Sequence, residues 1–270
     1  MDVQANLAEL LQWYADVGVD EAIGDTPIDR TVLSKASVPE KAAVLPMLPA
    51  TPVSASATAT AAEPITGTIE ALKEAATLAA GAKTIDDLKA ALENFKGLTL
   101  KRTATQMVFA DGPVTARVMI IGDAPGADED RAGHPFVGAT GQLLDKMLGA
   151  IGLSRETNVY MTSILNWRTP GNRAPSQAEI DLSLPFIQRH IELLNPAVIV
   201  CIGGSAAKIL LATKEPISKL RGKWAEYKSI PVTTIFHPEF LLQSPSQKKV
   251  AWEDLQMIQG KLKELGILYI

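Results

Sequence analysis

From residue 117 onward the chain alternates short apolar runs with segments of helical period, and few folds satisfy that alternation. Arg117-Val118-Met119-Ile120-Ile121-Gly122 is an apolar run closed by glycine. Val159 to Leu165, Ala197 to Ile202 and Val232 to Phe236 repeat the pattern. Runs this short with no polar alternation are strands covered on both faces. Between them, Gly141 to Ile151 places Leu143, Leu144, Met147, Leu148 and Ile151 at helical spacing. Ser176 and Glu179 form a capping box ahead of Ile180, Leu184, Ile187, Ile191 and Leu194. Ser205 to Leu211 and Ala251 to Leu262 are further helices. The prediction is an α/β fold, a three-layer αβα sandwich around a central four-stranded parallel sheet. In such sheets ligands bind at the carboxyl ends of the strands, so the loops after Ile121, Leu165 and Phe236 are the places to look for chemistry.

The N-terminal third reads differently, as a helical and disordered extension. Residues 1–33 hold an amphipathic stripe, Leu7, Leu10, Leu11, Tyr14 and Val17. It suits a helix that docks a protein partner, or equally one that packs on its own domain. Residues 34–68 are rich in Ala, Pro, Thr and Ser, which bury little, and read as a disordered linker. Residues 69–270 form the remaining domain, with its core at 95–262. It opens on helices Ile69 to Ala80 and Ile85 to Phe95, the second capped by Thr84 and Asp87.

Composition excludes several function classes. A single cysteine, Cys201, rules out a disulfide within the chain and a cysteine-only metal cluster. Three histidines, His134, His190 and His237, are too scattered for a zinc site. No apolar stretch approaches the roughly 20 residues of a membrane helix, and Met1-Asp2-Val3 does not open a basic leader. A cytoplasmic monomer without membrane contact is expected. The net charge of −4 means that any nucleic acid would be held by a local cationic face or by backbone amides.

The loop after the first strand reads Gly122-Asp123-Ala124-Pro125-Gly126-Ala127-Asp128-Glu129-Asp130. It continues through Gly133-His134-Pro135-Phe136-Val137-Gly138 and Thr140-Gly141-Gln142-Leu143-Leu144-Asp145. Further on come Arg168-Thr169-Pro170-Gly171-Asn172-Arg173-Ala174-Pro175, Leu220-Arg221-Gly222-Lys223-Trp224 and Phe236-His237-Pro238. In this order the motifs closely resemble those of the family 4 uracil-DNA glycosylases, over roughly residues 95–262.

The resemblance implies a DNA-repair hydrolase that flips uracil out of the helix and cuts its N-glycosidic bond, leaving an abasic site. It places Asp123 near the attacking water, where a carboxylate can orient water and stabilise an oxocarbenium ion. It stacks Phe136 on the pyrimidine and sets His237 against the base oxygen that gains charge. Gly122, Ala124, Pro125 and Gly126 would let backbone amides approach the base. Ser163 occupies the position of a family asparagine that bonds the uracil edge. Arg168, Asn172, Arg173, Lys248 and Lys249 are candidate phosphate contacts, which position a duplex without reading it. The loop beyond His237, Glu239-Phe240-Leu241-Leu242, would supply an apolar wedge for the vacated stack through Leu241 or Leu242, the alternative being that both leucines are helix core.

Two departures stand out. Where many members hold an iron–sulfur cluster on four cysteines, this chain has Phe95, Leu98, Trp167 and Ser183. The cluster is therefore expected to be absent and its space filled by apolar packing, leaving no cofactor. Serine at 163 offers one hydroxyl where asparagine offers a donor and an acceptor, and Asp123 is one methylene shorter than the family's glutamate. The alternative is a weakly active or inactive relative that binds DNA.

Overall fold

The computed structural model describes residues 66–267; segment 1–33 and nearly all of the linker lie outside them. In chain order the helices and strands are α1 (Thr66–Gly81), α2 (Ile85–Asn94), β1 (Ala110–Asp111), β2 (Val118–Gly122), α3 (Ala127–Ala132), α4 (Gly138–Gly149) and β3 (Val159–Ser163). Then follow α5 (Gln177–Leu194), β4 (Val198–Ile202), α6 (Gly204–Leu210), α7 (Ile217–Leu220), β5 (Ala225–Tyr227), β6 (Ile230–Ile235), α8 (Pro238–Gln243) and α9 (Lys248–Glu264). Both capping boxes form, at Thr84 with Asp87 and at Ser176 with Glu179.

The sheet runs β1-β3-β2-β4-β6-β5. The central four strands are parallel, as their unbroken burial in β2, β3 and β4 requires. Two short antiparallel strands, β1 on β3 and β5 on β6, extend the expected four-stranded sheet to six. Neither carries an apolar run to betray it. The β5–β6 hairpin turns through Lys228 and Ser229, both at positive φ (47° and 67°), without the Asn-Gly pair that would announce such a turn.

Side chains alternate between the two faces of the sheet. Met119, Ile121, Tyr160, Ile199 and Cys201 pack with α1, α2, α5 and α6. Val118, Ile120, Met161, Val200 and Ile202 pack with α4, α8 and α9. The three expected layers are present. Because β3 lies on one side of β2 and β4 on the other, the topology switches direction between β2 and β4. Connections diverge there and leave a crevice at the strand tips.

Candidate active site

The chain leaves β2 at Gly122, so Asp123 sits at the crevice. Its Oδ1 accepts the backbone N–H of Ala206 in the first turn of α6, which follows β4. The carboxylate thus bridges the two strands that flank the switch. Burial pushes the Asp123 carboxyl above its ordinary range, while the Ser205 hydroxyl, the Ala206 amide and nearby His237 draw it back. The donors at the helix start favour the ionised form against that desolvation.

His237 follows β6 and caps α8. Its Nδ1 accepts the Glu239 backbone N–H at 3.3 Å. A nitrogen accepting from an amide carries no proton, so the neutral ring is a donor at Nε2. The side chain is one-third exposed and opens to the crevice.

Phe136 lies in the loop before α4 with φ of 52°. A left-handed residue bearing a Cβ costs roughly 1–2 kcal/mol, so surrounding contacts must hold it. One carboxylate, Glu129, accepts both the Gly126 and Val137 N–H groups at 3.0 Å, joining the start of α3 to the residue after Phe136. Gly141 approaches the Phe136 carbonyl so closely that a Cβ there would lie 1.9 Å from the oxygen. Arg155 donates to the carbonyls of Pro135 and Phe136 at 3.1 and 2.9 Å. The Phe136 ring is buried against Gly122. Gly122 and Gly126 serve here through missing side chains, not unusual dihedrals: a Cβ on Gly126 would meet Glu129 Oε2 at 2.7 Å, and neither residue has positive φ.

Ser163 ends β3 in register with Gly122 and is buried. These strand tips enclose a cavity of about 580 Å³. Gly122, Asp123, Ala124, Pro125, Gly126, Phe136, Ser163, Asn172, Arg173 and His237 all line it. Thr140, Thr169, Ser205 and Glu239 also line it and were not singled out by sequence. Ser205 could have been suspected from its place directly after the Gly203-Gly204 strand end.

Arg168, Leu241, Leu242 and Lys248 do not line the cavity. Leu241 is corrected as a wedge: it is 1% exposed and packs in the core with Leu144 and Leu148. The helical turn instead sends Phe240 and Leu242 outward, at 40% and 43% exposed. Arg173 is not a free cation, since its guanidinium grips both oxygens of Glu179 at 2.6 and 2.9 Å. Arg168 donates to Asn172 at 2.7 Å, and Lys248 is exposed at the start of α9. Asn166 donates to the carbonyls of Val108 and Phe109 and stays outside the pocket.

The positions matched to cluster cysteines do not fit a metal cluster. Phe95, Leu98 and Trp167 are buried in one apolar cluster, with Phe95 packed on Phe186 and the Lys101 ammonium over the Trp167 ring. The Ser183 hydroxyl is buried without a hydrogen-bond partner. Cys201 is buried in β4, and burial pushes its thiol to about 12, as befits a core residue.

The pocket can take a flat ring against Phe136, direct water with Asp123 and donate a hydrogen bond from His237 Nε2. Fold and site together define a doubly wound α/β protein with a pocket at its topological switch that is lined by a carboxylate, a phenyl ring and an imidazole. Residues 109–256 match the family model described as Uracil DNA glycosylase superfamily, and the chain belongs to that superfamily. It is 35% identical over 184 residues to a type-4 uracil-DNA glycosylase of Archaeoglobus fulgidus, covering 65% of this chain and 92% of that protein. It is 34% identical over 193 residues to the enzyme of the same name from Sulfurisphaera tokodaii, covering 68% and 86%. A third, from Thermotoga maritima, is 34% identical over 168 residues, covering 60% and 86%.

Proposed function

We propose that this protein is a DNA-repair hydrolase that removes uracil from DNA by cutting the N-glycosidic bond of a flipped nucleotide. The observation that carries the reading is the convergence of Asp123, Phe136 and His237, from three separate stretches of chain, on one cavity. The names of the relatives point the same way.

An extruded uracil enters with one face on the Phe136 ring. The imidazole Nε2–H donates to the base oxygen on which negative charge develops as the bond stretches. Asp123 orients water toward the sugar carbon and balances the positive charge there. The bond's electron pair leaves with the uracil as its anion, water adds to the sugar carbon and gives its proton to Asp123, which passes it on to the uracil anion or to solvent, and an abasic site remains. Ser163 offers its hydroxyl to the base edge, and exposed Phe240 and Leu242 fill the gap in the stack. The enzyme works without an iron–sulfur cluster, since none of the four positions offers a thiolate; iron analysis of purified protein should find none.

The test is a uracil-containing oligonucleotide incubated with the protein and cleaved by alkali. Strand scission at the uracil is expected. No scission at high protein concentration, with DNA binding retained, would overturn the reading in favour of a DNA-binding relative.

A further inference from the structure

We infer that Arg155 is a positioning residue for the ring-binding side chain: it holds Phe136 in its left-handed conformation and so sets the face of the pocket. The inference rests on the glycosylase reading only for its kinetic consequence.

Arg155 lies in the turn between α4 and β3, outside the cavity lining and outside every motif that carries the family resemblance. Its side chain is only 17% exposed. The guanidinium makes four kinds of contact. Nη1 donates to Asp111 in β1 at 3.0 Å and to the Pro135 carbonyl; Nη2 donates to the Phe136 carbonyl; Nε donates to Asp145 in α4 at 2.9 Å. Two carboxylates on two different elements therefore fix the orientation of one planar fork. The fork in turn holds two successive carbonyls at the point where the backbone takes positive φ.

Asp111 belongs to a two-residue edge strand and Asp145 to the outer part of α4; neither reaches the pocket. The fork alone connects them to the Phe136 peptide. The other face of that carbonyl is closed by Gly141. With Arg155 removed, two carbonyls lose charged donors, and the Glu129 bond to the Val137 N–H is left as the hydrogen bond that opposes relaxation of Phe136 to ordinary negative φ. That relaxation would swing the ring away from Gly122. Asp145, the last residue of the Gly141-Gln142-Leu143-Leu144-Asp145 phrase, thereby gains a role the sequence did not supply.

Two measurements test this. The chain has six phenylalanines. In protein labelled with 4-fluorophenylalanine, the Phe136 resonance, assigned by its loss in F136L, should shift or broaden in Arg155→Gln while the other five stay in place. An unmoved Phe136 line would overturn the proposal, and so would equal shifts of all six. On uracil-containing single-stranded DNA, Arg155→Gln should lower kcat/KM on the order of tenfold to hundredfold, the scale of a misplaced contact. In a Phe136→Ala background the same change should cost less than about twofold, because the residue it acts through is gone. Full multiplication of the two losses would overturn the inference. If Arg155→Gln does not fold, Arg155→Lys, which keeps the charge but not the planar fork, carries the same two readouts. A wild-type chain with no activity would sink the glycosylase reading alone; the fluorine spectrum would still decide this one.

Discussion

The ring of Phe136 rests directly on the α-carbon of Gly122: a β-carbon at 122 would lie 2.7 Å from Cζ and 3.2 Å from Cε1. The residue that ends β2 and the residue that forms the wall of the pocket occupy one space, so neither can change alone. Gly122→Ala should displace the ring and lower kcat/KM by about 100-fold while the protein stays folded. Steady-state kinetics beside a circular dichroism melt would check it; undiminished turnover would show that the ring position is immaterial.

Asp123 carries charge at a cost. Its folded pKa is raised, chiefly by burial, so the ionised group weakens the fold at neutral pH. That penalty is absent below the ordinary carboxylate range and develops as pH climbs through the raised value. Asp123→Asn, which keeps an acceptor for the Ala206 amide, should be at least as stable as wild type at pH 7, with the difference closing toward pH 4. It should also lose about 100-fold or more in kcat. Denaturant midpoints at several pH values, paired with single-turnover rates, separate the two effects.

For His237 the expectation is a loss in turnover rather than in binding. Its donor faces charge that exists only as the bond breaks, so His237→Ala should reduce kcat about 100- to 1000-fold with little change in KM. Equal turnover in the variant would remove His237 from the chemistry.

The tip of α8 divides by exposure. Leu241→Ala opens a cavity in the core and should cost about 2–5 kcal/mol. Leu242→Ala and Phe240→Ala should leave thermal stability within about 0.5 kcal/mol of wild type. Both exposed-site variants should slow excision from paired duplex more than from single strands, where no stack has to be refilled. A uniform slowing on both substrates would argue against a wedge.

Glu179 ties the Arg173 loop to the first turn of α5. The Arg173 guanidinium holds its pKa down at about 2, below the ordinary 4.5. The stability it confers is complete above about pH 4.5 and is lost as pH falls through about 2. Glu179→Gln should cost about 1 kcal/mol near neutrality, a discount for the half-exposed Arg173. Urea titrations of both proteins should converge toward pH 2; a constant gap would mean that the pair is not the source.

How far these features were legible in advance depended on their range. The apolar runs of β2, β3 and β4 and the capping boxes at Thr84 and Ser176 are local patterns, each formed by a few consecutive residues. The chain therefore announced the layered parallel core, and the phrases around Asp123, Phe136 and His237 announced the pocket. The edge strands β1 and β5 were silent because two or three partly or fully exposed residues carry no period, and because positive-φ Lys228 and Ser229 do not look like a tight turn.

The sequence by itself determined the order of the four central strands and the main helices between them, the superfamily motifs and the want of thiolates at Phe95, Leu98, Trp167 and Ser183. Only tertiary structure decided that Leu241 turns inward while Phe240 and Leu242 face out, that Arg173 is spent on Glu179, and that Asp123 bonds the start of α6. It alone brought Arg155 to the Phe136 carbonyl. The reason is physical. Hydrophobic period and capping act between near neighbours, whereas the partner of a charged side chain is set by which distant segments the packed sheet brings within about 3 Å.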